Sequence, residues 1–163
     1  LVVEGLAPLY PRLWRFCLVL TKDRATADDL AQSACARALE QSDKFAVGTN
    51  LDRWVFTIAR RLWLNDIRHP KLRQGQGLVA VEETEIKDDS PPTETNIFAR
   101  QVLNKVQALP DKQRLCVLLV YVEGYFYAEA AETLDIPIGT VMSRLSAARR
   151  VITNDVEITG TDT

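Results

Sequence analysis

Residues 127–145 read YAEAAETLDIPIGTVMSRL, and this stretch decides the fold of the C-terminal part of the chain. The spacing predicts a short helix over 127–134, a break at 135–137 and a second helix over about 138–152. Small Ala131 would lie where the two helices cross, and the apolar side chains between them would be Leu134, Ile136 and Val141. This pattern is typical of a helix-turn-helix, although a generic pair of packed helices would show the same apolar spacing.

Two further helices are predicted upstream of this motif. One ends at Pro110 and carries an apolar face formed by Ile97, Phe98, Val102, Val106 and Leu109. The run 115–122 is nearly all apolar and ends at Gly124, so it predicts a buried central helix with a glycine cap. The C-terminal half is therefore predicted to be helical throughout.

The N-terminal half predicts three more helices. The first is interrupted by the polar segment 21–24, and its apolar positions at helical spacing are Leu9, Leu13, Phe16, Cys17 and Leu20. Thr26 and Asp29 have the form of a capping box that opens a second helix running to about Gln41. A third helix is predicted over about 51–68. Because no stretch alternates convincingly as a strand, the predicted fold class is all-α.

Between the two halves, the segment 69–96 loses helical periodicity and combines glycines, prolines and an acidic run. It holds three Lys/Arg and six Asp/Glu, whereas residues 1–68 hold ten and eight, and residues 97–163 hold seven and eight. This composition predicts a flexible acidic linker between two small helical domains, 1–68 and 97–163. The whole chain has a net charge of −2, which alone argues mildly against nucleic-acid binding, so the distribution of charge matters more than the sum.

The predicted third helix separates apolar from cationic residues. At 100° per residue, its core side is formed by Leu51, Val55, Ile58 and Leu62. The opposite side carries Arg53, Arg60, Arg61 and Arg68. Trp54 lies between these sides, and a second apolar stripe consists of Phe56, Trp63 and Ile67. Two interpretations stay open: a solvated basic face beside an extra packing surface, or a surface where single-stranded nucleic acid meets guanidinium groups and aromatic rings.

Several classes of protein are excluded by the composition. Charges or prolines break every apolar run before the ~20 residues that a membrane span needs. Cys17, Cys35 and Cys116 lie far apart, so we expect neither a disulfide framework nor a zinc site, and a reducing cytoplasm is the expected location. His69 is the single histidine and has no cysteine or acidic pair nearby, and a glycine-rich phosphate loop is absent. We therefore expect no metal, no cofactor and no enzymatic activity. The chain begins with Leu1 rather than Met, so whether its N-terminus is complete stays open.

Three stretches follow one another in a specific order. They are ADDLAQ at 27–32, FAVGTNLDRWVFTIAR at 45–60 with DIR at 66–68, and LPDKQR at 109–114 leading into GTVMSRL at 139–145. In this order they resemble the bacterial sigma-70 family, within it the small two-domain extracytoplasmic-function (ECF) RNA polymerase sigma factors. The resemblance implies a non-enzymatic protein whose N-terminal region 2 and C-terminal region 4 direct RNA polymerase core to promoter DNA. It also implies an anti-sigma factor as a partner.

The resemblance implies three functional surfaces. Contact with the polymerase core would involve Asp28, Asp29, Leu30 and Gln32. The two acids are equally explained as residues that stabilise a helix start. The loop 45–50 would capture a base flipped out of the minus-ten element, and the implied contacts there are Phe45, Asn50, Arg53, Trp54, Arg60 and Arg61. The minus-thirty-five element would meet the second helix of the motif through Thr140, Met142, Ser143, Arg144, Ser146, Ala147 and Arg149.

Some positions depart from the family pattern. Arg61 replaces a common asparagine of the flipped-base pocket, while Met142 and Ala147 replace Lys or Arg of the recognition helix. Phe126 stands where a serine often caps a helix, and Ser33 stands where an acid is common. These departures leave open whether DNA binding is weakened or only changed in specificity.

The departures support a second hypothesis. A sigma-like decoy would keep both lobes as protein-binding surfaces and sequester an anti-sigma factor without productive promoter binding. A third hypothesis, an ordinary helix-turn-helix repressor, explains the C-terminal lobe only. Arg144 and Arg149 are compatible with DNA contact and with a solvated surface, so they do not decide between the first two.

Overall fold

A computed structural model describes residues 1–68 and 94–159, which belong to two compact units, Leu1–Thr84 and Glu85–Thr163. The first unit contains α1 (Val2–Thr21), α2 (Arg24–Glu40), a 3₁₀ turn (Ser42–Lys44) and α3 (Leu51–Arg68). The second contains α4 (Glu94–Ala108), α5 (Asp111–Val117), a π-helical segment (Leu118–Val122), α6 (Tyr127–Leu134) and α7 (Ile138–Thr159). No strand occurs in either described range, so the predicted all-α class is confirmed.

The predicted linker, 69–96, falls almost entirely outside the described residues. Its last three residues, 94–96, belong to α4, so this helix begins three residues before the predicted domain start. His69 also lies outside the described ranges. The predicted boundaries at 68 and 97 remain predictions.

The break between α1 and α2 lies where the sequence predicts it, but the cap of α2 differs. Lys22 adopts a left-handed conformation (φ 60°) and its backbone N–H donates to the Leu18 carbonyl, which ends α1. Asp23 then caps α2, because its carboxylate accepts hydrogen bonds from the Thr26 backbone N–H (3.0 Å) and hydroxyl (2.6 Å). The predicted capping box at Thr26 and Asp29 is therefore wrong: Thr26 lies inside the first turn rather than before it.

Small residues on α2 let the three helices of the first unit pack closely. Four buried alanines and Leu30 line the inner face of α2, namely Ala27, Ala31, Ala34 and Ala38. Across the core, Phe16 of α1 stacks on Phe56 of α3 with 4.7 Å between ring centroids and 4° between planes. Trp63 is also buried, so most of the predicted second stripe of α3 belongs to the core, whereas Ile67 is exposed.

In the second unit, the predicted buried helix over 115–122 changes its geometry midway. After α5, the backbone widens into the π-helical segment, in which Glu123 N–H donates to the Leu118 carbonyl (2.9 Å). Leu118 and Leu119 are buried, but Tyr121 and Val122 are more than half exposed. The prediction of a wholly buried helix is thus wrong for its last turn, while Gly124 does end it with a positive φ of 73°.

The helix-turn-helix is confirmed as α6 and α7. Asp135 takes a left-handed conformation (φ 53°) after α6, and Ile136 N–H donates to the Ala131 carbonyl (3.0 Å). Leu134 and Val141 are buried where the two helices meet. The second helix continues to Thr159, seven residues beyond the predicted end.

Candidate functional site

One surface of the first unit joins polar ends of aromatic side chains on α1 to polar side chains on α2. Trp14 Nε1 donates to the Asp28 carboxylate at 2.7 Å. The Tyr10 hydroxyl and the Gln32 side chain form a second hydrogen bond, one helical turn before Trp14 on α1 and one turn after Asp28 on α2. Burial, followed by the nearby charge of Asp28, raises the pKa of Tyr10. We name these four residues the α1–α2 surface.

Asp28 and Gln32 are exposed, whereas Leu30 is fully buried in the core. Leu30 therefore cannot contact a partner through its side chain and instead fixes α2 against α1 and α3. Asp29 is half-buried. Because α2 begins at Arg24 and has no acid in its first turn, neither Asp28 nor Asp29 serves to stabilise the helix start.

The sequence interpretation missed Tyr10 and Trp14. Both lie four residues apart on α1, so they share one face of this helix. The sequence did offer a signal for them: Tyr and Trp combine an apolar ring with a polar tip, and such residues are favoured where one end is buried and the other meets a polar partner.

The loop 45–50 is shaped by its own hydrogen bonds. The Thr49 hydroxyl donates to the Ala46 carbonyl at 2.6 Å, and the Thr49 N–H donates to the same oxygen at 3.1 Å. Gly48 has a φ of 98°, a conformation in which a side chain would be strained. Asn50 is exposed, and its carbonyl accepts the N–H of Trp54 (3.2 Å) to start α3. The loop therefore reaches α3 in a defined conformation.

Phe45 and Trp54 connect the loop to the helix. Their ring centroids are 5.2 Å apart with the planes tilted by 47°, and both side chains are half-buried. The structure thus brings together two aromatic residues that the sequence placed at the same candidate site. The arrangement leaves part of each ring accessible for stacking by an unpaired base.

The loop end of α3 is fixed to α1 by a polar and a steric contact. Arg12 Nη2 lies 2.8 Å from Asp52 Oδ2, and the Arg12 guanidinium lies 6.0 Å from the centroid of the Phe56 ring. A Cβ atom at Gly5 would clash with the Leu51 side chain, so glycine permits the close approach of α1 to α3. An open groove of about 330 Å³ remains between them, lined by Gly5, Pro8, Leu9, Arg12, Thr49, Asn50, Leu51 and Asp52.

The arginine side of α3 is present but unevenly exposed. Arg61 is exposed, while Arg53 and Arg60 are half-buried and make contacts within the protein. The side chain of Arg68 falls outside the described residues. Arg61 is therefore the most accessible of the three described cations on this helix.

The predicted recognition residues of α7 are either exposed or half-buried, and none of them lies in the core. Val141, Leu145 and Ala148 face the core. Met142, Ser143 and Arg149 are exposed, and the half-buried predicted residues are Thr140, Arg144, Ser146 and Ala147. The Ser143 hydroxyl donates to the Gly139 carbonyl one turn earlier at 2.8 Å.

The two predicted arginines of α7 project to different neighbours. Arg144 forms a side-chain hydrogen bond with Cys116 of α5; burial raises the pKa of this thiol, and the arginine opposes that shift. Arg149 Nη1 lies 3.0 Å from the Tyr121 hydroxyl and 3.5 Å from the Tyr127 hydroxyl. Both arginines are thus positioned by protein contacts.

The start of α6 keeps half of a capping box. Phe126 is 77% exposed and its side chain offers no acceptor to the helix N–H groups. Glu129 Oε1 nevertheless accepts the Phe126 backbone N–H at 2.9 Å. The departure from serine thus removes one cap and leaves an exposed aromatic ring at the helix start.

Within residues 1–68 and 94–159, no group of three or more His, Cys, Asp or Glu side chains could hold a metal ion. Cys17, Cys35 and Cys116 are free thiols, and burial raises the pKa of Cys17 to about 12. No helix in these ranges is both long and apolar enough to span a membrane.

Comparisons with known proteins agree with both lobes. The family description "Sigma-70 region 2" matches residues 7–72, and "Sigma-70, region 4" matches residues 99–152. The ECF RNA polymerase sigma factor EcfG of Rhodopseudomonas palustris (strain TIE-1) is 34% identical over 141 residues. The matched region covers 85% of this chain and 76% of that relative.

Two solved structures place the fold. The sigma factor RpoE, solved in complex with the anti-sigma factor NepR from Bartonella quintana, has a TM-score of 0.73 and 26% identity, covering 98% of this chain and 97% of the matched one. The complex of the anti-anti-sigma factor PhyR with NepR from the same organism gives a TM-score of 0.57 and 16% identity, covering 96% and 52%. The second similarity shows the shared fold alone.

Proposed function

Because the chain belongs to the ECF group of RNA polymerase sigma factors, which are not enzymes, we propose that it binds polymerase core and directs it to promoters. The observation that carries this proposal is the preformed loop 45–50, with its Phe45–Trp54 pair beside the arginines of α3. Such a site suits an unpaired base, whereas sequestration of a protein has no need of it. A polymerase subunit of this kind would act in the cytoplasm.

In this proposal, the α1–α2 surface meets the polymerase core. Asp28 offers charge and Gln32 offers an amide, and their bonds to Trp14 and Tyr10 hold both in place before binding. Preorganised polar groups lose less side-chain freedom when they bind a partner. Asp29 contributes at the half-buried edge, and Leu30 supports the helix from inside.

The loop and α3 would capture the melted minus-ten strand. Flipping one base costs a few kcal/mol, which stacking on the aromatic pair and phosphate contacts by Arg53, Arg60 and Arg61 would offset. Asn50 is exposed at the loop end and is placed to read the edge of a captured base. The exposed Arg61 would alter which base is preferred, since an arginine donates only.

Helix α7 would enter the major groove at the minus-thirty-five element. Met142 and Ala147 offer apolar contact with thymine methyl groups, and Ser143 and Ser146 offer hydroxyls. Arg144 lies on the flank that faces α5, and Thr140 is one helical turn before it on the same side of α7. We expect readout here to depend more on shape and methyl contacts than on arginine–guanine pairs.

An anti-sigma factor is the proposed regulatory partner. The sigma factor RpoE, which shares this fold at 26% identity, was solved in complex with the anti-sigma factor NepR. By analogy, a protein of that kind would cover the lobes of this chain and keep it from polymerase.

The decoy hypothesis remains the second candidate. Met142 and Ala147 stand where a Lys or Arg is usual in the recognition helix. The matched chain in the complex of the anti-anti-sigma factor PhyR shares this fold over 52% of its length. A decoy would bind an anti-sigma factor tightly and give no transcription with polymerase core.

The deciding experiment combines a pull-down of purified core polymerase with run-off transcription from a randomised promoter library. A promoter-directing sigma factor binds core and enriches a defined promoter, and Trp54→Ala lowers transcript yield while core binding is retained. Trp54→Phe is the matched control that keeps a stacking ring. Core binding without any transcript, together with tight binding to a purified anti-sigma factor, would replace this proposal by the decoy hypothesis.

A further inference from the structure

Three side chains from separate segments of the second unit converge on one exposed point. Tyr121 comes from the π-helical segment, Tyr127 is the first residue of α6, and Arg149 lies on α7. Arg149 Nη1 is 3.0 Å from the Tyr121 hydroxyl and 3.5 Å from the Tyr127 hydroxyl. Tyr121 is 53% exposed and Arg149 is also exposed, so the cluster opens to solvent.

The directions of these hydrogen bonds leave donors unused. A guanidinium only donates, so both phenol oxygens must accept from Arg149. Each tyrosine proton is then free to point to a further acceptor, as are the remaining N–H groups of the guanidinium. Among the side chains that the structure describes, no carboxylate forms an ion pair with Arg149. The cluster therefore presents one uncompensated positive charge and several converging donors, which suit an oxyanion.

The position of Arg149 on α7 favours the DNA backbone over a base edge. With 100° per residue, Arg149 lies about 120° around the helix from Ser143, which is on the outward face. It lies instead on the flank next to the π-helical segment and the start of α6. When a recognition helix occupies the major groove, such a flank faces the phosphates that border the groove.

We infer that Tyr121, Tyr127 and Arg149 form a clamp for a single DNA phosphate beside the minus-thirty-five element. The inference rests on the proposed function and deepens it, because it gives Arg149 a backbone role and adds two tyrosines that the sequence did not single out. The clamp fixes the register of α7, and the sequence is read by other residues of the helix.

The test measures binding of the full-length chain to duplex DNA carrying the minus-thirty-five sequence recovered from the promoter library, across a range of salt concentrations. Arg149→Ala is expected to weaken binding about 5- to 10-fold at low salt on matched and scrambled duplexes alike, and to lower the salt slope by about 1. The double variant Tyr121→Phe with Tyr127→Phe keeps the charge, so it should lose about 2- to 5-fold with the slope unchanged. Arg37→Ala and Ser42→Ala, both at exposed residues of the first unit, are matched controls for one charge and one hydroxyl.

A methylphosphonate scan locates the phosphate. Neutralising the phosphates one at a time should weaken the wild-type protein at one position where Arg149→Ala gives no further loss. Loss of preference at one base pair in Arg149→Ala would overturn the clamp in favour of base readout. Losses that add at every scanned position would overturn the clamp alone. The same holds if the wild-type protein binds with sequence preference and Arg149→Ala binds equally well. Failure of the wild-type protein to bind any duplex, alone or with polymerase core, would overturn both proposals.

Discussion

The loop 45–50 and helix α7 differ in how their candidate residues are held. At the loop, Phe45 and Trp54 contact each other, and the backbone is fixed by Thr49, Gly48 and the start of α3. On α7, the outward residues Met142 and Ser143 contact no partner side chain by hydrogen bond or ion pair in the described residues, while Arg144 and Arg149 are held on the flanks. A coupled site is sensitive to any single change, whereas a face of independent residues can change its specificity one position at a time.

The largest expected effect is at the Phe45–Trp54 pair, where the loop 45–50 meets α3. Trp54→Ala should lower open-complex formation about 10- to 100-fold, because base stacking on an aromatic ring is worth ~1–3 kcal/mol. Run-off transcription and a footprint of the melted strand measure the loss, and a core pull-down provides the comparison. An equal loss of core binding would mean that Trp54 supports the fold of the first unit and not strand capture.

A smaller loss is expected on the α1–α2 surface. Asp28→Ala should weaken core binding about tenfold, since it removes the exposed charge and the acceptor of the Trp14 bond. Asp28→Asn keeps an acceptor for Trp14 and separates the two contributions in the same titration. Unchanged core affinity in both variants would remove this surface from the polymerase interface.

On α7, restoring a charge should strengthen binding. Met142→Arg is expected to raise affinity for the minus-thirty-five element about 3- to 10-fold, because an exposed arginine at this position can reach a phosphate or a guanine edge. Binding to duplex DNA by fluorescence anisotropy measures the gain. If Met142→Arg instead lowers affinity for the selected sequence, Met142 already reads that sequence through apolar contact.

The smallest effects concern helix caps, which also differ between the two lobes. Asp23→Ala should cost about 1 kcal/mol of unfolding free energy, whereas Phe126→Ser should add up to about 1 kcal/mol by supplying the missing acceptor. Bonds from the Thr26 hydroxyl and then its backbone N–H lower the pKa of Asp23. Its contribution is therefore present above the ordinary aspartate pKa and is lost as pH falls through the lowered value. Thermal unfolding of both variants at neutral and at acidic pH measures these changes, and a cost of Asp23→Ala that stays the same in acid would contradict the cap.

The sequence predicted the elements better than the contacts between them. Apolar periodicity located α3 and the two helices of the helix-turn-helix, because a helix that buries one face must repeat apolar residues at 3.6-residue spacing. The same spacing could not distinguish Asp23 from Thr26 as the cap of α2, since both residue types cap helices. Nor could it show that the run 115–122 widens into a π-helical segment and exposes Tyr121.

The sequence by itself determined the all-α class, the two helical lobes and the family, because periodicity and motif order are properties of the chain. Only the tertiary structure decided which site residues lie together. It buried Leu30, joined Trp14 to Asp28, paired Phe45 with Trp54 and brought Tyr121 and Tyr127 to Arg149. These contacts depend on how helices pack, and residues far apart in the chain carry no local signal of which neighbours that packing will give them.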